Sequence, residues 1–355
     1  MRAYGSLIAV LCIFAQVPSA VAGSFAPNVV VTTEVLKPLV DEVMNGIGES
    51  NALFTGAVDP HTAALKPTQA KMLAAADVII APDAHYSPSL KRMLKKRKES
   101  GAIVLYLTDS DASAALPYRE ENPWLSADTL KANPAHNPIH ANQHGKKDTH
   151  AHHEEHHHEE HHHKQPHAHT HSTNQTDPHV WLDPLRMANL MPEIAGAIAE
   201  YSPEYRKQLF ANAVRMSNHL RATVTPALEK IFAQPVPRGD NTTIPFLTSH
   251  DAYQYFHERF RIALPGYLTQ RPEEYLGAKT IQALMKKAGA SRVNCVIADA
   301  PTRLAKRTAE LSNARLVIVN PERLYSSKEV KPERWFKNDY DRLLYAVATA
   351  FAACR

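Results

Sequence analysis

Between Ala135 and Ser172 the chain gathers 15 of its 21 histidines, from His136 to His171. The centre of the run reads His152, His153, Glu154, Glu155, His156, His157, His158, Glu159, Glu160, His161, His162 and His163. Imidazole is a borderline ligand that suits zinc, copper and nickel, and a polar run of it offers many shallow, exchangeable sites rather than one shaped site. The chemistry implied is the handling of a transition metal. Such a run fixes no geometry, so selectivity has to come from elsewhere.

Outside the run stand His61, His85, His179, His219, His250 and His257. Three of them sit in turn-rich contexts at the ends of expected strands: Val58-Asp59-Pro60-His61, Asp177-Pro178-His179-Val180-Trp181-Leu182-Asp183-Pro184, and Leu247-Thr248-Ser249-His250-Asp251-Ala252-Tyr253. Proline fixes the backbone ahead of the ring in both Asp-Pro-His triplets. The neighbouring Asp59, Asp177 and Asp251 can cap helices or accept a bond that orients a ligating ring. Three preorganised imidazoles suffice for zinc, with carboxylate, amide or water in fourth place. Each motif alone is a weak signal, because a lone loop histidine is more often a cap or a surface residue. His219 and His257, on the faces of amphipathic helices, read as surface residues, and His85 as a residue at a cleft mouth.

The elements that would carry these residues alternate. The β-branched run Asn28 to Thr32 predicts a strand, and Val35, Leu36, Leu39, Val40, Val43, Met44 and Ile47 a helix stopped near Gly46 and Gly48. A loop Thr55 to His61, a helix Thr68 to Ala76, a strand Val78 to Ala81, a basic helix Ser87 to Ser100 and a strand Ala102 to Leu107 follow. From Tyr201 one long helix is expected, capped by Ser202, with Pro203 in its first turn and Pro226 kinking it or ending its regular part. The alternation then resumes: strand Ile244 to Leu247, helices Ala252 to Arg259 and Pro272 to Ala288, strand Val293 to Ala298, helix Pro301 to Asn313, strand Leu316 to Val319, and a closing helix carrying Leu343, Leu344 and Phe351. Alternation of this kind indicates parallel βαβ units with ligand-bearing loops at the carboxyl ends of the strands. The expected fold is α/β: two βαβ-type lobes joined by one long rigid helix, with a metal site in the cleft between them.

The organisation follows. Residues 1–22, with Arg2, the apolar stretch Leu7 to Val17 and Ala20-Val21-Ala22, read as a cleavable secretory signal too short to span a bilayer. The amino-terminal lobe is expected over 23–200, with the histidine-rich loop disordered over about 132–176, the connecting helix over 201–234 and the second lobe over 235–355. With Cys12 inside the signal, Cys295 and Cys354 remain. In an oxidising compartment an even pair reads most simply as a disulfide, the alternative being two buried thiols. A net charge of +4 with dispersed Lys and Arg suggests neither nucleic acid nor membrane as partner.

Taken in order and spacing, these motifs resemble the periplasmic metal-binding proteins of ABC importers for zinc or manganese, and most closely the zinc-uptake ZnuA type. The resemblance covers essentially the whole mature chain. It rests on Asp59-Pro60-His61 with Leu65-Lys66-Pro67-Thr68, on Asp177 to Pro184, on His250-Asp251-Ala252-Tyr253-Gln254-Tyr255-Phe256, and on the histidine-rich insertion before the second motif. It implies His61, His179 and His250 as the ligands of Zn2+, and a disulfide between Cys295 and Cys354. Manganese-type relatives tend to carry a carboxylate where His250 stands, so three imidazoles argue for zinc. Relatives commonly place an aspartate after the last strand. Here the run is Val319-Asn320-Pro321-Glu322, which leaves the fourth ligand open among Asp59, Asn320, Glu322, water and a tract histidine.

The function implied is capture of zinc in the periplasm by a monomer and its delivery to an inner-membrane permease with a cytoplasmic ATPase, without catalysis. Two rivals stand beside it: a zinc buffer or chaperone with no transporter, and a three-histidine zinc enzyme with an exchangeable water. Against the enzyme, no obvious general-base motif such as a helical His-Glu-x-x-His stands outside the histidine tract, and no glycine-rich phosphate loop is found.

Overall fold

The computed structural model describes residues 26–56, 58–119, 122, 175–233, 246–263, 265–272, 278–290 and 293–354. The expected signal, 1–22, and every histidine from His136 to His171 lie outside the described residues.

Two four-stranded parallel sheets organise the chain. The first consists of β1 (Val29–Thr33), β2 (Asn51–Phe54), β3 (Val78–Ala81) and β4 (Ile103–Tyr106), in the order β2-β1-β3-β4. The second, β5 (Phe246–His250), β6 (Gly266–Thr269), β7 (Cys295–Ala298) and β8 (Arg315–Ile318), repeats that order as β6-β5-β7-β8. β1, β3 and β7 are buried at every position, as continuous Val- and Ile-rich runs covered on both faces must be. In each sheet the chain runs outward from the central pair in both directions. That leaves a crevice at the carboxyl ends of the strands.

The helices complete the βαβ units: α1 (Lys37–Val43), α2 (Pro67–Ala75) and α3 (Pro88–Glu99) in the first half, then α4 (Pro184–Tyr201). Next come α5 (Arg206–His219) and α6 (Thr225–Phe232), and in the second half α7 (Gln254–Phe260), α8 (Ala278–Ala290), α9 (Arg303–Ser312) and α10 (Asp339–Ala352). One hydrophobic cluster runs through both halves, joining Val29, Leu39 and Met187 to Leu220, Tyr253, Tyr340 and Phe351. Among the described residues, no helix is long and apolar enough to cross a membrane.

The helical run from Pro203 to Phe232 is continuous, with a π-turn at Leu220–Val224. Pro226 explains it: the ring has no N–H and would collide with the carbonyl four residues back, so the helix widens by one residue ahead of it. Thr225 closes the wide turn, its hydroxyl donating to the Leu220 carbonyl at 2.8 Å.

Several expectations are corrected. Ser202 makes no side-chain cap, although it is buried. Sequence reading missed β2, β6 and α4. The two strands lack a β-branched run, and α4 carries Pro192 in its interior, which argues against a helix on propensity alone. Tertiary packing overrides that: α4 is capped by Asp183, whose carboxylate accepts from the Leu185 and Arg186 amides, and it buries one face in the common core. Thr176, placed by expectation inside the disordered loop, bridges Pro117 in antiparallel fashion. His219 and His257 are not surface residues. His219 Nε2 faces Asp341 at 2.7 Å and His257 Nδ1 faces the Ile262 carbonyl at 2.6 Å, both partly buried.

Candidate metal centre

Three triplets with the same local chemistry deliver groups to the crevice. In Asp59-Pro60-His61 the Asp59 carboxylate accepts the His61 amide proton at 2.9 Å, and in Asp177-Pro178-His179 the Asp177 carboxylate accepts that of His179 at 3.0 Å. In Asn320-Pro321-Glu322 the Asn320 side-chain oxygen accepts the Glu322 amide proton at 2.8 Å. Each is an Asx turn in which proline presets the backbone, so the third side chain is held at a fixed angle. The fourth group, His250, is the last residue of β5. His61 follows β2 and Glu322 follows β8, so three of the four stand beyond the carboxyl ends of parallel strands.

One ligating atom from each of His61, His179, His250 and Glu322 lies within 4.8 Å of the others. Glu322 Oε1 is 2.6 Å from His61 Nε2 and 3.1 Å from His179 Nε2, and the His179 and His250 Nε2 atoms are 3.3 Å apart. A tetrahedral zinc with bonds of about 2.1 Å needs its ligand atoms about 3.4 Å apart; with His250 Nε2 3.9 Å from Glu322 Oε1, the separations straddle that length. All four side chains are buried, none of the residues more than 6% exposed. Tyr86 meets His61 edge-on, ring centroids 4.7 Å apart, and Trp181 lies tilted against His179 at 5.1 Å, so aromatic rings wall the cluster. Trp181 also donates from Nε1 to the Pro321 carbonyl at 2.9 Å, tying the Glu322 turn to the first half.

The second ring nitrogens are also held. His179 Nδ1 lies 2.6 Å from Asp177, and His250 Nδ1 lies 2.8 Å from Asp299. A carboxylate on Nδ1 fixes the tautomer and turns the Nε2 lone pair toward the cluster. Burial alone would lower the His179 pKa, but the charges of Asp177 and Glu322 outweigh it and raise it to about 10. The same competition, burial against Asp299, raises His250. Glu322, although burial opposes its charge, is held well below the usual carboxylate range by His61 and His179. Burial and the Glu322 charge push Asp59 up.

Asp59, Asn320 and His85 stay outside the group: the first two spend their side-chain oxygens on their own turns, and the His85 side chain is 45% exposed. Asp251 does not orient His250. It is paired with Arg119 instead, and the orienting carboxylate is Asp299, just past β7, which sequence reading missed. Nothing near Asp299 in sequence marks it, since the contact spans 49 residues. For Glu322 a signal existed, because Asn320-Pro321-Glu322 repeats the Asx-Pro-ligand pattern. The same pattern in Asp183-Pro184-Leu185 only caps a helix. Replacing Asp299 with asparagine is expected to weaken metal binding about 10- to 100-fold, because His250 loses its anionic anchor. A competitive chelator titration measures it, and an unchanged affinity would show that Asp299 is a bystander.

Two parallel α/β sheets enclosing a buried cluster of three imidazoles and a carboxylate define a two-lobed metal-binding protein. The sequence model of the family described as "ZnuA: Zinc-uptake complex component A periplasmic" matches residues 29–354. A curated relative, the high-affinity zinc uptake system protein ZnuA of Brucella abortus (strain 2308), is 30% identical over 299 residues, 83% of either chain. This chain therefore belongs to the ZnuA family. In fold it is similar to a crystal structure of ZnuA (TM-score 0.63, 17% identity, 93% of this chain and 99% of that one). It is likewise similar to the periplasmic zinc-binding protein TroA of Treponema pallidum (TM-score 0.64, 12% identity, 92% and 98%).

Proposed function

We propose that this chain captures zinc(II) between its lobes on His61, His179, His250 and Glu322, and hands it to an inner-membrane ABC permease driven by a cytoplasmic ATPase. The observation that carries the reading is the convergence of these four atoms within 4.8 Å. Four protein ligands fill a tetrahedron and leave no open position for an activated water, which counts against the enzyme rival. Zinc is the cargo. Residues 1–22 direct export and are removed. The mature monomer acts in the periplasm as lobes 23–200 and 235–355 joined by the helix 201–234.

The tract from His136 to His171 serves as a reservoir, raising the local supply of metal at lower affinity than the cleft. Deleting 136–171 is expected to remove several weak sites and leave one tight site in a chelator-competed titration. Loss of the tight site would make the tract part of the primary one. Zinc import tests the transport half: cells lacking the chain are expected to regain zinc uptake with the wild type and not with His250→Ala. Import indifferent to the chain would favour a periplasmic buffer.

Binding is expected to release protons. In the metal-free protein His179 faces a carboxylate from each ring nitrogen, and a pKa of about 10 keeps it a cation at neutral pH. A metal cannot take Nε2 until that proton leaves. Because the pKa is raised, protons compete at every pH below about 10, and affinity rises with pH by about tenfold per unit for each proton displaced. Calorimetry in buffers of different ionisation enthalpy counts them. Fewer than about one proton per zinc at pH 7 would show that His179 is not held as a cation before zinc arrives.

A further inference from the structure

We propose that the segment Leu116 to Arg119, together with Asn122, is a strap that holds the metal loop of the second lobe shut and sets the rate of zinc release. The proposal rests on the zinc-binding reading above. The root of the strap lies in the first half, where Leu116 accepts the Asp177 amide proton at 2.8 Å and Tyr118 donates to the Gln175 carbonyl at 3.0 Å. Asp177 is the residue that anchors His179. From there the strap crosses to the second half. Arg119 donates from Nε to Asp251 at 2.7 Å, pairs with the same carboxylate through a second nitrogen, and reaches the Pro265 carbonyl at 2.9 Å. Asp251 is the neighbour of His250 and is fully buried.

Asn122 completes the crossing. Its amide nitrogen donates to the Tyr267 carbonyl at 2.6 Å and its oxygen accepts from the Tyr267 amide at 3.4 Å. Tyr267 lies in β6, which ends the second sheet, so one side chain occupies the outward backbone groups where a further strand would pair. The Arg119 guanidinium lies over the Tyr267 ring at 4.8 Å. The strap thus grips Asp177, two residues before His179, in one lobe and Asp251, next to His250, in the other.

The rest of the molecule explains why a strap would matter. The hydrophobic cluster shared by both halves makes wholesale separation of the lobes costly, since it would expose buried side chains such as Leu220 and Tyr340. Four-coordinate zinc also has no free face from which to leave. A local opening at the turn after β5, in which Arg119 lets go of Asp251, disturbs less of that core than separating the lobes and is the cheaper route.

The test uses the full mature chain and two variants, Arg119→Ala and Asn122→Ala. Asn122→Ala leaves every charge in place and guards against a folding defect from the stranded Asp251 carboxylate. Amide exchange of the metal-free protein is read over 246–252 and 265–270, and zinc dissociation is read by stopped flow into excess chelator. Both variants are expected to exchange faster in those segments alone and to release zinc about tenfold faster, since weakened contacts act mainly on the off-rate. Unchanged exchange overturns the strap, and this readout needs no metal. Faster exchange with unchanged zinc release overturns its role as a gate. Failure of the zinc reading itself would appear separately, as a wild-type chain that holds no metal.

Discussion

A chain carrying His61→Ala, His179→Ala and His250→Ala is expected to lose its tight zinc site altogether, with affinity falling by at least about four orders of magnitude. The three rings present Nε2 atoms to one point, and two of them are anchored from behind by Asp177 and Asp299. Removing them leaves Glu322 alone, and one carboxylate cannot hold zinc against water. Glu322→Gln tests the fourth position with the shape kept and the charge removed. It is expected to lower affinity by a smaller factor, on the order of 100-fold, because three imidazoles remain. Competition with a strong chelator at neutral pH reads both variants. A tight site surviving the triple substitution would move the primary site into the histidine tract. Full affinity in Glu322→Gln would leave water as the fourth ligand.

The second large effect lies far from the metal. Cys295 and Cys354 are joined by a disulfide across 59 residues, linking the start of β7 to the chain just past α10. Closing a loop of that length removes conformational freedom from the unfolded chain worth about 4 kcal/mol in the chain-entropy account. The double variant Cys295→Ala, Cys354→Ala is therefore expected to unfold at a markedly lower denaturant concentration in the metal-free state, by about that free energy. Its zinc affinity is expected to stay within about tenfold of the wild type, because the cluster and its anchors are untouched. A stability loss below about 1 kcal/mol would mean that the unfolded chain is already restricted in that region.

Much of this was legible in the residues. The β-branched runs at Val29 and Val78 and the amphipathic stretches between them announced parallel βαβ units, and the two Asp-Pro-His triplets pointed to the crevice. The long helix was also legible, down to the disturbance at Pro226, because a missing N–H is a local property. β2 and β6 were not, since Asn51–Phe54 and Gly266–Thr269 lack the β-branched run that marks Val78–Ala81, a strand of the same length. Asp251, adjacent to His250, read as either a helix cap or the acceptor that orients the ring. The structure gives that work to Asp299 and gives Asp251 to Arg119.

The sequence by itself determined the residue types of the proposed ligands, the turns that aim two of them, and the alternation that builds two lobes, because each depends on a residue and its near neighbours. Only the tertiary structure decided which carboxylate completes the cluster and which ones hold the rings. Those contacts join His61 to Glu322 across 261 residues and Arg119 to Asp251 across 132. At such separations the chain's spacing carries no geometric information. Packing of the two sheets on a shared core fixes the distance, and burial then makes each unpaired charge too costly to leave without a partner.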